Sequence, residues 1–179
     1  MTDDHQYGHQ HDDHLYTVMT VCTGNICRSP MGEIILRHLV EERGLGDRVR
    51  VLSSGVSDEE HGNPIDRRAV KVLRERGYEL PAHHFAHRIT RGEIEETDLF
   101  LPMTASHMRA LLRQLPTGKR AEVHMYRSFD PNLPKPKPGR EDVIDLVDPW
   151  YGGPHEFEVV IDQIEEVAPY IVDWIETQL

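Results

Sequence analysis

The sequence predicts an α/β fold of three layers: a four-stranded parallel sheet flanked by helices on both faces. Short β-branched or apolar runs alternate with segments of helical periodicity, and parallel neighbours need right-handed crossovers that pack helices onto a sheet. The 179 residues are 38% hydrophobic and 28% charged, enough for one domain that buries roughly 70% of its unfolded surface without disulfides or a structural metal. With 31 acidic against 20 basic residues the net charge is −11. That balance argues against nucleic acid or an anionic membrane as a partner, because both select clusters of Lys and Arg.

Residues 1–14 hold His5, His9, His11 and His14 among Asp, Gln and Gly. With little to bury, they read as a disordered His-rich tail ahead of a domain over 15–179. Their spacing fits no defined ligand set, so no metal is expected, nor any organic cofactor. Leu15 to Val21 is a first strand ending at Cys22. Ser29 and Pro30 stand in cap and first-turn positions of a helix whose Met31, Ile35 and Leu39 share a face until Gly44 ends it. Val49–Leu52 reads as a strand, Pro64–Gly77 as a helix, Leu99–Leu101 as a strand and Ala105–Leu115 as a helix, and Ala121–Met125 is expected as the fourth strand. Beyond a loop holding Pro131, Pro134, Pro136 and Pro138, a final helix places Phe157, Val160, Ile161, Ile164, Val167, Ile171, Trp174 and Ile175 on one core face.

No run of 18 apolar residues occurs, and the first residues are acidic and polar where a secretory signal is basic and then apolar. Cys22 and Cys27 are too close in sequence for a secreted disulfide framework and point to thiol chemistry. The expectation is a cytoplasmic protein, a monomer or weak dimer.

In such folds ligands bind at the carboxyl ends of the strands, and the loop after the first strand is the usual anion cradle. Val21 to Pro30 runs from a strand end through a tight loop into a helix N-terminus. Successive backbone N–H groups of Thr23, Gly24, Asn25, Ile26 and Cys27 can converge as a nest, reinforced by the helix dipole. Gly24 and Asn25 tolerate the positive φ this needs. Arg28 adds a planar fork able to hold two oxygens of one tetrahedral dianion, which Lys would not provide. The same field favours the ionised thiolate of Cys22, a nucleophile at neutral pH. Ser29 can donate to that sulfur as it departs, serve as helix N-cap, or do both.

Residues 22–30, Cys-Thr-Gly-Asn-Ile-Cys-Arg-Ser-Pro, resemble the C-x-G-N-x-C-R-S-P loop of the low-molecular-weight protein tyrosine phosphatases. The resemblance runs from about residue 15 to 179. It implies in-line attack by Cys22 on a phosphotyrosine protein or aryl phosphate, a phosphocysteine cradled by the loop amides and Arg28, and hydrolysis by water. It also implies that Asn25 holds the loop's shape with Ser53 and His84 as supports. An aryl oxygen leaves more easily when a carboxylic acid protonates it, an effect of roughly 10²–10⁴ in rate. Asp130-Pro131, Asp148-Pro149 and Asp145 compete for that role. Asp148 is preferred: Trp150 and Tyr151 follow it as aromatic walls for a phenyl ring, and Asp148 to Gly152 matches the family's D-P-aromatic-aromatic-G motif. Asp130 reads as a turn former.

Glu59 and Glu60 stand where many members of that family place an aromatic cleft residue. They are either ordinary solvated charges or a device that disfavours acidic sequence around the substrate. His87 replaces the usual Arg, Thr104 an Asp and His107 an Asn, all at supporting positions. Cys27 is either a small buried residue or, as the resemblance implies, a reversible disulfide partner that shields Cys22. Two rivals share the loop: an arsenate reductase using an external thiol, since the chain lacks the further cysteine pair of the thioredoxin-coupled form, and a non-catalytic phosphotyrosine-binding module.

Overall fold

In the computed structural model, which describes residues 14–179, the sheet has three parallel strands in the order β2-β1-β3: β1 (Tyr16–Cys22), β2 (Val49–Gly55) and β3 (Leu99–Pro102). The expected tail lies outside the described residues except for His14, whose Nε2 meets the Asp98 carboxylate at 2.9 Å. Being central, β1 is buried on both faces and reads as an unbroken run of Thr, Val and Met. Its side chains alternate between two cores. Val18 and Cys22 join the larger one with α1 (Arg28–Glu42), α2 (Arg67–Glu75) and α5 (Pro154–Glu176). Met19 and Val21 join the smaller one with Ile94 of α3 (Arg91–Glu96), and with Leu111 of α4 (Ala105–Leu112). The three-layer α/β arrangement therefore holds.

The fourth strand does not. Of Ala121–Met125, the first two residues close a 3₁₀ turn, Thr117–Glu122, and the other three connect it to a second, Tyr126–Phe129. Only Val123 bridges to Phe100, with His124 N donating to the Phe100 carbonyl at 3.0 Å. One bridged residue between two turns cannot propagate a ladder, so Val123 and Met125 serve packing instead.

Cap chemistry moves the helix boundaries. α2 starts at Arg67 because the Asp66 side chain accepts the Arg68 N–H at 2.8 Å. α3 was not anticipated, although Thr90 and Glu93 form a reciprocal capping box whose T-x-x-E spacing is legible in the sequence. α1 begins at Arg28 with Cys27 in the cap position and no side-chain cap bond; the expected capping role of Ser29 is not taken. On α5 the anticipated face is buried from Phe157 to Ile175, with Trp174 half-buried. Among the described residues no helix is long and apolar enough to cross a membrane.

Register positions the site. Cys22 pairs with Gly55 and Val21 with Pro102, so all three strands end together, under the loop that joins β1 to α1.

Candidate active site

Between β1 and α1 the chain must reverse within five residues, and Asn25 makes this possible with φ of 61°. Gly24 does not share the positive φ expected of it; its need for glycine is steric, since a Cβ there would sit 2.8 Å from Cγ of Glu60. The left-handed Asn25 is fully buried, and every polar atom of its side chain is used. Its Nδ2 donates to Ser29 Oγ at 2.9 Å and to Ser53 Oγ at 3.0 Å. Its Oδ1 accepts the His87 N–H at 3.3 Å, and its carbonyl accepts from His84 Nε2 at 2.8 Å. Ser53 in turn donates to Glu33. Ser29 Oγ lies 3.0 Å from Cys22 Sγ. With the amide of Asn25 donating into its oxygen, the Ser29 hydroxyl has its proton free to point at the sulfur.

Neighbouring loops clamp the cradle through backbone bonds. Val56 N donates to the Cys22 carbonyl at 2.9 Å, Ser57 N to Thr23 O at 3.1 Å and Asp66 N to Ile26 O at 2.9 Å. Gly55 is obligatory here: a Cβ would fall 2.5 Å from the Thr23 carbonyl oxygen, a backbone atom. His107 is buried on α4, and its Nε2 shares a 2.8 Å hydrogen bond with Thr23 Oγ1. Thr104 caps the same helix through the His107 N–H, and His87 pairs with Glu93 at 2.7 Å. The departures at supporting positions, His87, Thr104 and His107, thus each make bonds of their own.

A cleft of about 370 Å³ opens over the cradle, lined by Cys22, Thr23, Gly24, Ile26, Cys27, Arg28, Glu59, Glu60, Asp148, Trp150 and Tyr151. The buried Arg28 reaches across it, Nη1 donating to the Leu146 carbonyl at 3.2 Å and Nη2 lying 3.4 Å from Asp148 Oδ2. The Asp148 side chain is half exposed, and its Oδ1 accepts the Trp150 N–H at 3.1 Å. The competing aspartates are placed elsewhere. Asp130 is buried and accepts the Asn132 N–H, and Asp145 accepts the Ala105 N–H at 2.7 Å at the start of α4.

The cysteines are both free thiols. Burial, then the Asp66 carboxylate, pushes the Cys27 thiol far above its usual range, which keeps it protonated and a poor nucleophile. Among the described residues no group of three His, Cys, Asp or Glu is gathered around one point as a metal would require.

Sequence reasoning brought Cys22 to Ser29, Ser53, His84, Asp148, Trp150 and Tyr151 to the site, and the structure gathers them there. It overlooked Glu33, Asp66 and Arg68, and the bond from His107. The Asp-x-Arg spacing at a helix start was a readable sign of the Asp66 cap; nothing in the sequence placed its partners.

The chain matches the family model of the low molecular weight phosphotyrosine protein phosphatases over residues 17–178. It is 41% identical over 162 residues to the low molecular weight protein-tyrosine phosphatase A of Mycobacterium tuberculosis, covering 90% of this chain and 93% of that one. It is 36% identical over 165 residues to the low molecular weight protein-tyrosine-phosphatase of Streptomyces coelicolor, covering 92% and 96%. The solved structure of a low molecular weight phosphotyrosine phosphatase from Vibrio cholerae superposes with a TM-score of 0.77 at 27% identity, over 91% of this chain and 98% of that one. Matched by that family model over residues 17–178 and by a relative 41% identical over 90% of this chain, this protein is a member of the low molecular weight phosphotyrosine protein phosphatase family.

Proposed function

We propose that the chain, as a domain over residues 15–179, hydrolyses phosphotyrosine on protein or a related aryl phosphate through a phosphocysteine at Cys22. The observation that carries this reading is the convergence of Cys22, Arg28 and Asp148 on one cleft with aromatic residues at its mouth. The phosphoryl oxygens are received by the loop amides from Thr23 to Ser29 and by the Arg28 fork. Cys22 Sγ attacks phosphorus as the P–O(aryl) bond breaks in line, and the proton of Asp148 passes to the leaving oxygen. Water then attacks phosphorus, the S–P bond breaks and the water's proton goes to the Asp148 carboxylate. Ser29, at 3.0 Å, donates to the sulfur as negative charge returns to it. Trp150 and Tyr151 stack on the phenyl ring. Neither metal nor organic cofactor is assigned a role, and the setting proposed is cytoplasmic, with the protein a monomer or weak dimer.

The test is turnover of p-nitrophenyl phosphate and of phosphotyrosine and phosphoserine peptides in chelator, for wild type and Cys22→Ser. Expected are hydrolysis of aryl phosphates alone and loss of at least about 10³-fold in the variant. Phosphate binding without turnover would favour the binding-module reading, and thiol-dependent arsenate reduction faster than aryl phosphate hydrolysis would favour the reductase.

A further inference from the structure

We infer that Arg68, outside both motifs, is a positioning residue that holds the acid-bearing segment in register with the phosphate cradle. This rests on the assignment of Asp148 as the proton donor. Asp66 is tied to the cradle by its own backbone, its N–H donating to Ile26 O at 2.9 Å. Its carboxylate takes two parallel bonds from Arg68, from Nε to Oδ1 and from Nη2 to Oδ2, each at 3.0 Å. The third nitrogen, Nη1, donates to Trp150 O at 3.0 Å and to Gly152 O at 2.9 Å. The guanidinium lies 4.7 Å from the Phe157 ring centroid and 5.5 Å from that of Trp150. Arg68 thus holds the carbonyl of Trp150, while the N–H of the same residue, in the preceding peptide group, donates to Asp148 Oδ1 at 3.1 Å.

The result is a continuous strut from cradle to acid: Ile26 carbonyl, Asp66, Arg68, the Trp150 backbone from its carbonyl to its N–H, Asp148. All three nitrogens of the guanidinium donate, in a planar fork that a Lys cannot reproduce. Arg68 is not among the residues that line the cleft. Its effect is on where the carboxyl stands when the aryl oxygen leaves, and misplacement of a catalytic group by about 1 Å can cost on the order of 10²-fold.

The experiment measures kcat/KM for aryl phosphates of graded leaving-group acidity, together with inhibition by inorganic phosphate. The proteins are wild type, Arg68→Met, Arg68→Lys, Asp148→Asn and the double variant Arg68→Met/Asp148→Asn. Expected for Arg68→Met is a loss of about 10-fold or more on phenyl phosphate, under about 3-fold on 2,4-dinitrophenyl phosphate, and a phosphate inhibition constant within about twofold of wild type. Arg68→Lys shows the same pattern at smaller amplitude and keeps the fold testable if the Met variant does not express. In the Asp148→Asn background the Arg68 change costs little more, because the two act on one step. A uniform loss on all substrates, with phosphate inhibition weakened in parallel, makes Arg68 merely structural and overturns the inference. If Asp148→Asn itself loses all substrates equally, the acid assignment has failed instead.

Discussion

His107 offers a quantitative test of the bond that secures the cradle from the α4 side. The ring is 4% exposed, Nε2 is bonded to Thr23 and Nδ1 has no partner among the described residues. Burial, then the nearby Arg28 charge, lowers its pKa from 6.5 to about 3. The unfolded ring takes up a proton near pH 6.5 and the folded ring only near 3. The unfolded state therefore binds more protons between these values, and stability falls as pH is lowered through that window. The slope approaches ~1.4 kcal/mol per pH unit below pH 6.5, where it is about half that, hence ~2 kcal/mol between pH 6.5 and 4.5 from this residue. His107→Asn removes the titration while losing the Thr23 bond, worth ~1 kcal/mol. Urea unfolding at pH 7.5, 6.5, 5.5 and 4.5 should show the variant less stable at pH 7.5, with the gap closing or reversing by pH 4.5. Parallel stability curves for the two proteins, or a ring pKa near 6.5 by NMR, would refute the reasoning.

Two further outcomes follow from the cleft. Gly55→Ala pushes a methyl into the Thr23 carbonyl at 2.5 Å and displaces cradle backbone, so kcat/KM should fall by about 10-fold or more with weaker phosphate inhibition; unchanged steady-state kinetics would show that the loop yields at no cost. Glu59 and Glu60 line the cleft opposite few cations, so phosphotyrosine peptides with Lys or Arg flanks should be preferred over Asp or Glu flanks by about 10-fold at low salt. That ratio should shrink toward one in Glu59→Gln/Glu60→Gln, and equal rates in the wild type would mark the pair as solvated charge.

The central strand was legible because a strand buried on both faces carries no charge and is built from apolar and β-branched residues, and Tyr16 to Val21 is such a run. The last helix was legible because burial of one face leaves a 3.6-residue signature. Ala121–Met125 misled because β-branched and apolar residues suit packing between turns as well as a ladder, and ladder formation depends on a neighbour the local sequence does not specify. Asp148 could be preferred over Asp130 and Asp145 through the aromatic pair that follows it and the resemblance of residues 148–152 to the family's motif. The carboxylates' actual partners, the Asn132 N–H, the Ala105 N–H and Arg28, settle their placement in space.

What the sequence determined by itself is the chemistry within one local segment: a strand that ends in Cys22, a residue tolerant of positive φ at Asn25, and Arg28 at a helix start. Short-range geometry dictates these, because backbone amides of neighbouring residues converge wherever the chain turns tightly. Only the tertiary structure decided which distant groups meet that segment. Ser53 and Glu33 support Asn25, His107 holds Thr23, and Arg68 joins the cradle to the Trp150 segment across 82 residues of chain. Those partners are set by how β2, α2, α4 and the segment before α5 pack around the sheet, and side-chain reach in a close-packed fold carries no signature in local periodicity.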